Sequence, residues 1–130
     1  KTTQTTQDHL PTFEKSSADW IRVKHRVESE SQHMASLGFI LDGMLSFLPL
    51  THSHMFLDDA GACSSLDFAL RIFSPTFNMN DWNLRECTSH SASHGRSYSE
   101  SRVWNDEGKM IACMTQQCIL RVPEKVVPKI

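Results

Sequence analysis

The longest apolar segment of the chain is residues 31–50, SQHMASLGFILDGMLSFLPL. At 3.6 residues per turn it forms a helix with one continuous apolar face, and further apolar side chains spread round its flanks. A helix that is apolar over most of its circumference is typically buried. Asp42, the only Asp, Glu, Lys or Arg in this segment, lies about 100° from the centre of the apolar face. A carboxylate there needs a hydrogen-bond partner or has a function, and burial alone favours the structural role.

Five segments alternate apolar and polar residues with the period of two that is typical of β-strands. One precedes the helix and four follow it: residues 20–27, 62–73, 82–90, 96–104 and 109–121. Small polar residues at 91–95 predict a bulge or bend, and NDEG at residues 105–108 predicts a turn. Gln116 is the polar exception in the apolar row of the last strand. One strand, one helix and four strands predict an α+β domain, with a curved antiparallel sheet around one long helix.

The 130 residues and their 39% hydrophobic content are sufficient for one domain. We expect a linker or lead-in at residues 1–19, the domain at residues 20–122 and a tail at residues 123–130. The chain begins with Lys1, so we expect it to be part of a longer protein. A net charge of −2 without a Lys/Arg run argues against nucleic acid as a partner. The apolar run is short, is interrupted by Asp42 and ends at Pro49, so we expect no membrane span.

The remaining residue types point to few kinds of site. The four cysteines have neither C-x-x-C spacing nor the density of a disulfide framework, so we expect reduced thiols in an intracellular compartment. Two histidine groups could supply metal ligands: His52 and His54 with Asp58 and Asp59, and His90 with His94. Neither group matches a known metal-site pattern, and solvated loop residues are the better interpretation. The sequence contains no nucleophile elbow and no glycine-rich phosphate loop.

Three polar side chains remain as candidates for chemistry: Asp42 in the helix, Ser65 in the strand after it, and Gln116 in the last strand. Together they could hold a water molecule, with the carboxylate as general base and the hydroxyl and amide orienting the water. Strict alternation in residues 62–73 places Ser65 on the face opposite Leu66 and Phe68. The pattern alone leaves open whether the three candidates converge.

Three ordered blocks carry a resemblance to a known family: LGFILDGMLSFLPL, SSLDFALRIFSPTFNMNDW and DEGKMIACMTQQCILR. Over about residues 20–122 the chain resembles the second half of the type II acyl-coenzyme A thioesterases, which include bacterial thioesterase II and the peroxisomal acyl-CoA thioester hydrolases. The resemblance implies a hot-dog fold, in which a curved antiparallel sheet wraps a long helix. It also implies that Asp42, Ser65 and Gln116 are the catalytic, water-activating residues, whereas the adjacent Gln117 aligns less well.

The activity that this resemblance implies is hydrolysis of a fatty acyl-CoA to free fatty acid and coenzyme A. No metal or separate cofactor is expected, since coenzyme A is part of the substrate. The implied partner is the N-terminal hot-dog half or a second copy of the chain as a homodimer. The alternative is a non-catalytic hot-dog module that provides a dimer interface or a surface for a CoA ligand. The terminal residues Pro128, Lys129 and Ile130 are similar to a peroxisomal targeting tripeptide, so we expect a peroxisomal location.

Overall fold

One antiparallel sheet packed against one main helix makes up the architecture. The computed structural model describes residues 5–123. The elements are β1 (Ser16–Ile21), α1 (Glu30–Asp42), a short α2 (Leu48–Thr51), β2 (Ala62–Ile72), β3 (Asn83–Ser93), β4 (Arg96–Trp104) and β5 (Met110–Arg121). The strands lie in the order β1-β3-β4-β5-β2, and every neighbouring pair is antiparallel. The predicted α+β class is confirmed, while the terminal Pro128, Lys129 and Ile130 lie outside the described residues.

The first strand lies earlier in the chain than predicted. The prediction of a strand at residues 20–27 is wrong, because β1 covers Ser16–Ile21 and pairs with β3 from Ser16↔Thr88 to Ile21↔Asn83. β1 is at the edge of the sheet, and backbone hydrogen bonds to β3 hold it in place. The polar residues Ser16 and Ser17 can therefore begin a strand, although their composition is typical of a linker.

The segment after β1 is held by the side chain of Asn80 and by a backbone hydrogen bond from the Val23 N–H to the Met79 carbonyl oxygen at 2.6 Å, instead of by a neighbouring strand. The Asn80 amide nitrogen donates to the carbonyl oxygens of Val23 at 2.8 Å and His25 at 2.7 Å. The amide oxygen of Asn80 accepts a hydrogen bond from the Val27 N–H at 2.9 Å. These bonds satisfy backbone groups that a strand would pair with its neighbour. Apolar and polar residues still alternate in residues 22–27, although this segment is not a strand.

α1 starts with a capping box formed by Ser29 and Gln32. The Ser29 hydroxyl accepts from the Gln32 N–H at 3.3 Å, and the Gln32 side-chain oxygen accepts from the Ser29 N–H at 3.2 Å. This reciprocal pair satisfies two backbone donors that the first helical turn leaves without partners.

The end of α1 lies at Asp42, so the predicted single helix over residues 31–50 is wrong in its last part. Met44 has a left-handed backbone with φ of 81°, which interrupts the helical hydrogen-bond pattern. A 3₁₀ turn at Leu45–Phe47 and then α2 follow. Pro49 lies in the first turn of α2, where proline is tolerated, and it does not end α1.

The core lies between the helical segment and the inner face of the sheet. Its buried side chains are Leu37, Leu41, Leu45, Leu48, Met79, Cys87, Val103, Ile111, Ala112 and Met114. Full burial of such a side chain contributes about 1.5–3 kcal/mol. The opposite side of α1 is open, and Phe39 is 82% exposed. The predicted all-round burial of the helix is therefore wrong, and Asp42 is also exposed.

The helical segment Glu30–Thr51 is long and apolar enough to cross a membrane, with 22 residues and a mean hydropathy of 1.5. The expectation that the run is too short for a span is therefore wrong, since helical structure continues past Pro49. Leucines of this segment nevertheless pack on the sheet, and the left-handed Met44 interrupts the helix. This packing is that of the core helix of a folded domain.

The four later strands lie close to their predicted positions. β4 matches its prediction at both ends, while β3 extends to Ser93, beyond the predicted end at residue 90. The predicted bulge or bend is present as a register shift between Ser89 and Ser91, followed by a turn at His94 and Gly95. Gly95 has φ of 72°, a conformation that glycine adopts without strain. β2 forms the second edge of the sheet.

Candidate active site

Asp42 at the end of α1 and Gln116 in β5 contact each other directly. Gln116 Nε2 donates a hydrogen bond to Asp42 Oδ1 at 2.6 Å. Gln116 is only 1% exposed, whereas Asp42 is exposed to solvent. Hydrogen bonds to an ionised carboxylate are stronger than those between neutral groups, so this contact fixes both side chains. The packing of α1 on β5 therefore brings together two of the three predicted site residues.

Ser65 lies on the same side of the sheet because β2 contains a β-bulge. The register of β2 with β5 shifts immediately after Ser65, which lies opposite Cys118, while Phe68 lies opposite Gln116. Side chains directly opposite each other in an antiparallel pair lie on one face. The prediction that Ser65 and Phe68 lie on opposite faces is wrong, since the extra residue Leu66 reverses the alternation.

Cys118 lies opposite Ser65 and contacts Gln116 of the Asp42–Gln116 pair. The Cys118 thiol donates to Gln116 Oε1 at 3.3 Å, and Ser65 lies directly opposite Cys118 in the β2–β5 strand pair. Burial raises the pKa of the Cys118 thiol to about 11, while the nearby hydroxyl groups of Ser97 and Ser65 act in the opposite direction. The thiol therefore remains protonated at neutral pH and can donate.

The contribution of Cys118 was missed from the sequence, where a free cysteine in a strand is interpreted as a small apolar residue. Its position two residues from Gln116, in the same row of β5, is the signal that could have identified it. The structure thus places all three predicted residues around one cluster. Asp42 and Gln116 are in direct contact, and Ser65 lies opposite Cys118, which donates to Gln116.

Four buried serines line the inner face of β3 and β4 beside this cluster: Ser89, Ser97, Ser99 and Ser101. Ser99 lies directly opposite Gln116, and Ser97 directly opposite Cys118. β3 and β4 occupy the interior of the sheet, so these serines face the core and not solvent. Small side chains at these positions leave room for the helical segment above the sheet.

Arg85 fixes the end of α1 next to Asp42. Its Nη1 donates to the carbonyl oxygens of Ile40 at 3.0 Å and Gly43 at 3.2 Å, which lie at the end of the helix. Its Nε and Nη2 donate to the two carboxylate oxygens of Asp19 at 2.9 and 2.7 Å. The hydrogen bonds to Asp19 raise the pKa of the Arg85 guanidinium, and burial opposes this shift. The charged guanidinium of Arg85 therefore supplies hydrogen bonds to backbone carbonyl groups at the end of α1, next to Asp42.

The histidines considered as metal ligands form other contacts. His54 Nε2 lies 2.8 Å from Asp8 Oδ1, His52 Nε2 lies 3.4 Å from Ser17 Oγ, and His90 Nε2 lies 3.1 Å from Glu100 Oε2. His52 and His54 therefore attach their loop to the N-terminal segment around a cavity of about 380 Å³. Between residues 5 and 123, no three His, Cys, Asp or Glu side chains are grouped to hold a metal ion.

The stability of the protein is expected to decrease in mild acid because of His52. Burial and then the charge of Lys15 lower the pKa of His52 from its ordinary value of 6.5, against an opposing backbone hydrogen bond at Thr12. The unfolded chain therefore takes up the proton at a higher pH than the folded chain does. The stabilising contribution is complete above about pH 6.5 and is lost as the pH falls from there toward the lower folded-state pKa.

Thermal midpoints measured at neutral and mildly acidic pH in wild type and His52→Gln test this expectation. The variant should lose less stability on acidification than wild type. His25→Gln, which replaces an exposed histidine, is the matched control and should retain the wild-type dependence. Equal dependence in wild type and His52→Gln would contradict the assignment to His52.

Comparisons with known proteins agree with this architecture. The family described as "Acyl-CoA thioesterase C-terminal domain" matches residues 2–120. No curated protein matches the chain. The acyl-CoA thioesterase II TesB2 from Mycobacterium marinum is similar in structure, with a TM-score of 0.76 and 22% identity over 92% of this chain and 47% of that chain.

Two further solved structures show the same likeness. A tesB protein from Mycobacterium avium subsp. paratuberculosis has a TM-score of 0.67 and 17% identity, over 84% of this chain and 42% of its own. A Streptococcus mutans protein, solved bound to acetyl-CoA, has a TM-score of 0.66 and 11% identity, over 85% of this chain and 84% of its own. The chain therefore spans about half the length of the two mycobacterial proteins.

The structural likeness identifies the helix and its five-stranded antiparallel sheet as a hot-dog fold, as the sequence resemblance implies. The family match extends over nearly the whole chain, from residue 2 to residue 120. This protein therefore belongs to the family of acyl-CoA thioesterase C-terminal domains.

Proposed function

We propose that the chain carries the catalytic site of a thioesterase that hydrolyses fatty acyl-CoA to free fatty acid and coenzyme A. The observation that supports this most strongly is the 2.6 Å hydrogen bond between Gln116 and Asp42, on a hot-dog fold of a thioesterase family. It holds a carboxylate, exposed to solvent, beside a buried amide. Such a pair can bind a water molecule and remove its proton.

In the proposed reaction, Asp42 accepts a proton from a water molecule that the second N–H of Gln116 and the hydroxyl of Ser65 orient. Gln116 occupies Asp42 Oδ1, so Oδ2 takes the proton. The water oxygen forms a bond to the thioester carbonyl carbon, and the resulting tetrahedral intermediate collapses with cleavage of the carbon–sulfur bond. The coenzyme A thiolate leaves and takes up the proton from Asp42. The products are the fatty acid and coenzyme A, without a covalent enzyme intermediate.

The proposed partner of this chain is a second hot-dog unit, either the first half of a longer thioesterase or another copy of this chain. β2 is an edge strand of 11 residues with free backbone groups on one side. Apolar side chains along this edge are exposed, including Leu66, Phe68 and Ile72. An edge of this length and composition is suited to pairing with another strand.

Thiol release from octanoyl-CoA and hexadecanoyl-CoA tests the proposed activity. The assay is run on this chain alone and on the chain joined to the first hot-dog half, with the oligomeric state measured by light scattering. We expect hydrolysis by the paired form, with coenzyme A and fatty acid released in equal amounts. Two correctly folded forms that both fail to hydrolyse these substrates would contradict the proposal.

The second candidate function is a non-catalytic hot-dog module that forms an interface or holds a CoA ligand. The exposed apolar edge of β2 favours it, since an interface needs this surface and no catalysis. Calorimetric titration with coenzyme A distinguishes the candidates. Binding or pairing by the folded protein, with acyl-CoA remaining intact, would select the module.

A further inference from the structure

The side-chain amide of Gln116 has two ends that must face different partners. Its Nε2 donates to Asp42 Oδ1, and its Oε1 accepts from the Cys118 thiol. If the amide rotated by half a turn, its oxygen would face the carboxylate, and two acceptors would be in contact. Gln116 is almost fully buried, so bulk water is not available to satisfy its oxygen. The Asp42 carboxylate on one side and a donor next to Oε1 on the other therefore fix together which end of the amide points at Asp42.

The backbone places Cys118 in the position of that donor. Gln116 and Cys118 are two residues apart in β5, so their side chains lie on one face of the sheet. Across the strand pair, Cys118 lies directly opposite Ser65, on the same face of the sheet. One sulfur thus lies between the amide and the hydroxyl that are proposed to orient the water.

We propose that Cys118 is a positioning residue of the hydrolytic site, which holds the Gln116 amide with its N–H toward Asp42. Its effect on the rate of hydrolysis rests on the proposed function. The orientation of the amide itself does not depend on any reaction. Cys118 acts through Gln116 and not by contact with the water or the thioester.

The chemistry of the thiol suits this role. Because burial raises the pKa of Cys118 to about 11, the sulfur keeps its proton across the range in which a carboxylate base works. Cys118 is completely buried, so its hydrogen bond does not compete with bulk solvent. Ser97, which lies opposite Cys118 in β4, is also buried, and its hydroxyl forms no hydrogen bond with residues 5–123. The Cys118 thiol is therefore the donor to Gln116 Oε1.

Three variants of the form that hydrolyses acyl-CoA test the proposal. Cys118→Ala removes the donor, Cys118→Ser keeps a donor at the same position, and Cys87→Ala removes a buried thiol from the same inner face at a distance from Gln116. We expect Cys118→Ala to lower kcat about tenfold with KM unchanged, because the variant loses one hydrogen bond that orients Gln116. Cys118→Ser should remain within about threefold of wild type and Cys87→Ala within about twofold. If Cys118→Ala does not fold, Cys118→Val, which fills the volume without a donor, replaces it.

A second measurement does not require hydrolysis. The side-chain amide protons of Gln116, identified by their loss in Gln116→Glu, are followed by nuclear magnetic resonance in glutamine-labelled protein. We expect shifted resonances and faster solvent exchange in Cys118→Ala, and wild-type behaviour in Cys118→Ser and Cys87→Ala. Unchanged amide signals in Cys118→Ala would overturn the positioning role. Altered signals without acyl-CoA hydrolysis in any form would support the orientation of the amide and reject the proposed function.

Discussion

Replacement of Asp42 by Asn is expected to lower kcat for acyl-CoA hydrolysis by about 10²–10⁴-fold, with KM little changed. Asparagine has nearly the same shape as aspartate, but its amide cannot take a proton from water at neutral pH. Gln116 would also face either an amide oxygen or an amide nitrogen in place of a carboxylate that accepts its N–H at 2.6 Å. The measurement is thiol release with saturating hexadecanoyl-CoA, and circular dichroism confirms the fold.

Asp58→Asn is the matched control for this prediction, since Asp58 is an exposed carboxylate in the loop before β2. It should retain wild-type activity. A folded Asp42→Asn protein with full activity would show that another group removes the proton from water. Asp42→Asn should have little effect on the free energy of unfolding, because Asp42 is exposed and is not part of the apolar core.

Replacement of Arg85 by Leu is expected to reduce the free energy of unfolding by about 2–3 kcal/mol. The substitution removes the donors to the Ile40 and Gly43 carbonyl oxygens and leaves the end of α1 unsatisfied. It also removes both hydrogen bonds from Arg85 to Asp19, and these bonds link β3 to β1. The Asp19 carboxylate is about half exposed, so water compensates part of the loss. Urea denaturation at neutral pH measures the change.

Arg102→Leu is the control for Arg85, because Arg102 forms an ion pair with Glu86 at 3.4 Å in which both side chains are about one-third exposed. Its loss should cost less than about 1 kcal/mol, as is usual for a surface pair. Equal destabilisation by the two substitutions would indicate that the bonds of Arg85 to the helix end contribute nothing beyond an ordinary surface ion pair.

The order of the elements could be predicted from the sequence because periodicity is a local property. A period of 3.6 over residues 31–42 and a period of two over the four later strands reflect which side of each element faces the core. The capping box at Ser29 and Gln32 is equally local, since both residues lie within one turn. Asp42 could be identified as the only charged residue of the apolar segment, and Gln116 because it interrupts the apolar row of the last strand. The resemblance of three ordered blocks then indicated the family, which the match over residues 2–120 confirms.

Tertiary structure alone decided how these residues meet. Alternation placed Ser65 on the wrong face, because the bulge at Leu66 depends on how β2 pairs with a strand about fifty residues later. The positions of β1 and of the end of α1 depend on long-range bonds from β3, Asn80 and Arg85, which local patterns do not contain. Cys118 acquired a role only through its neighbours in the folded sheet. The sequence by itself therefore determined which elements form, and the pairing of distant strands determined which side chains reach Asp42.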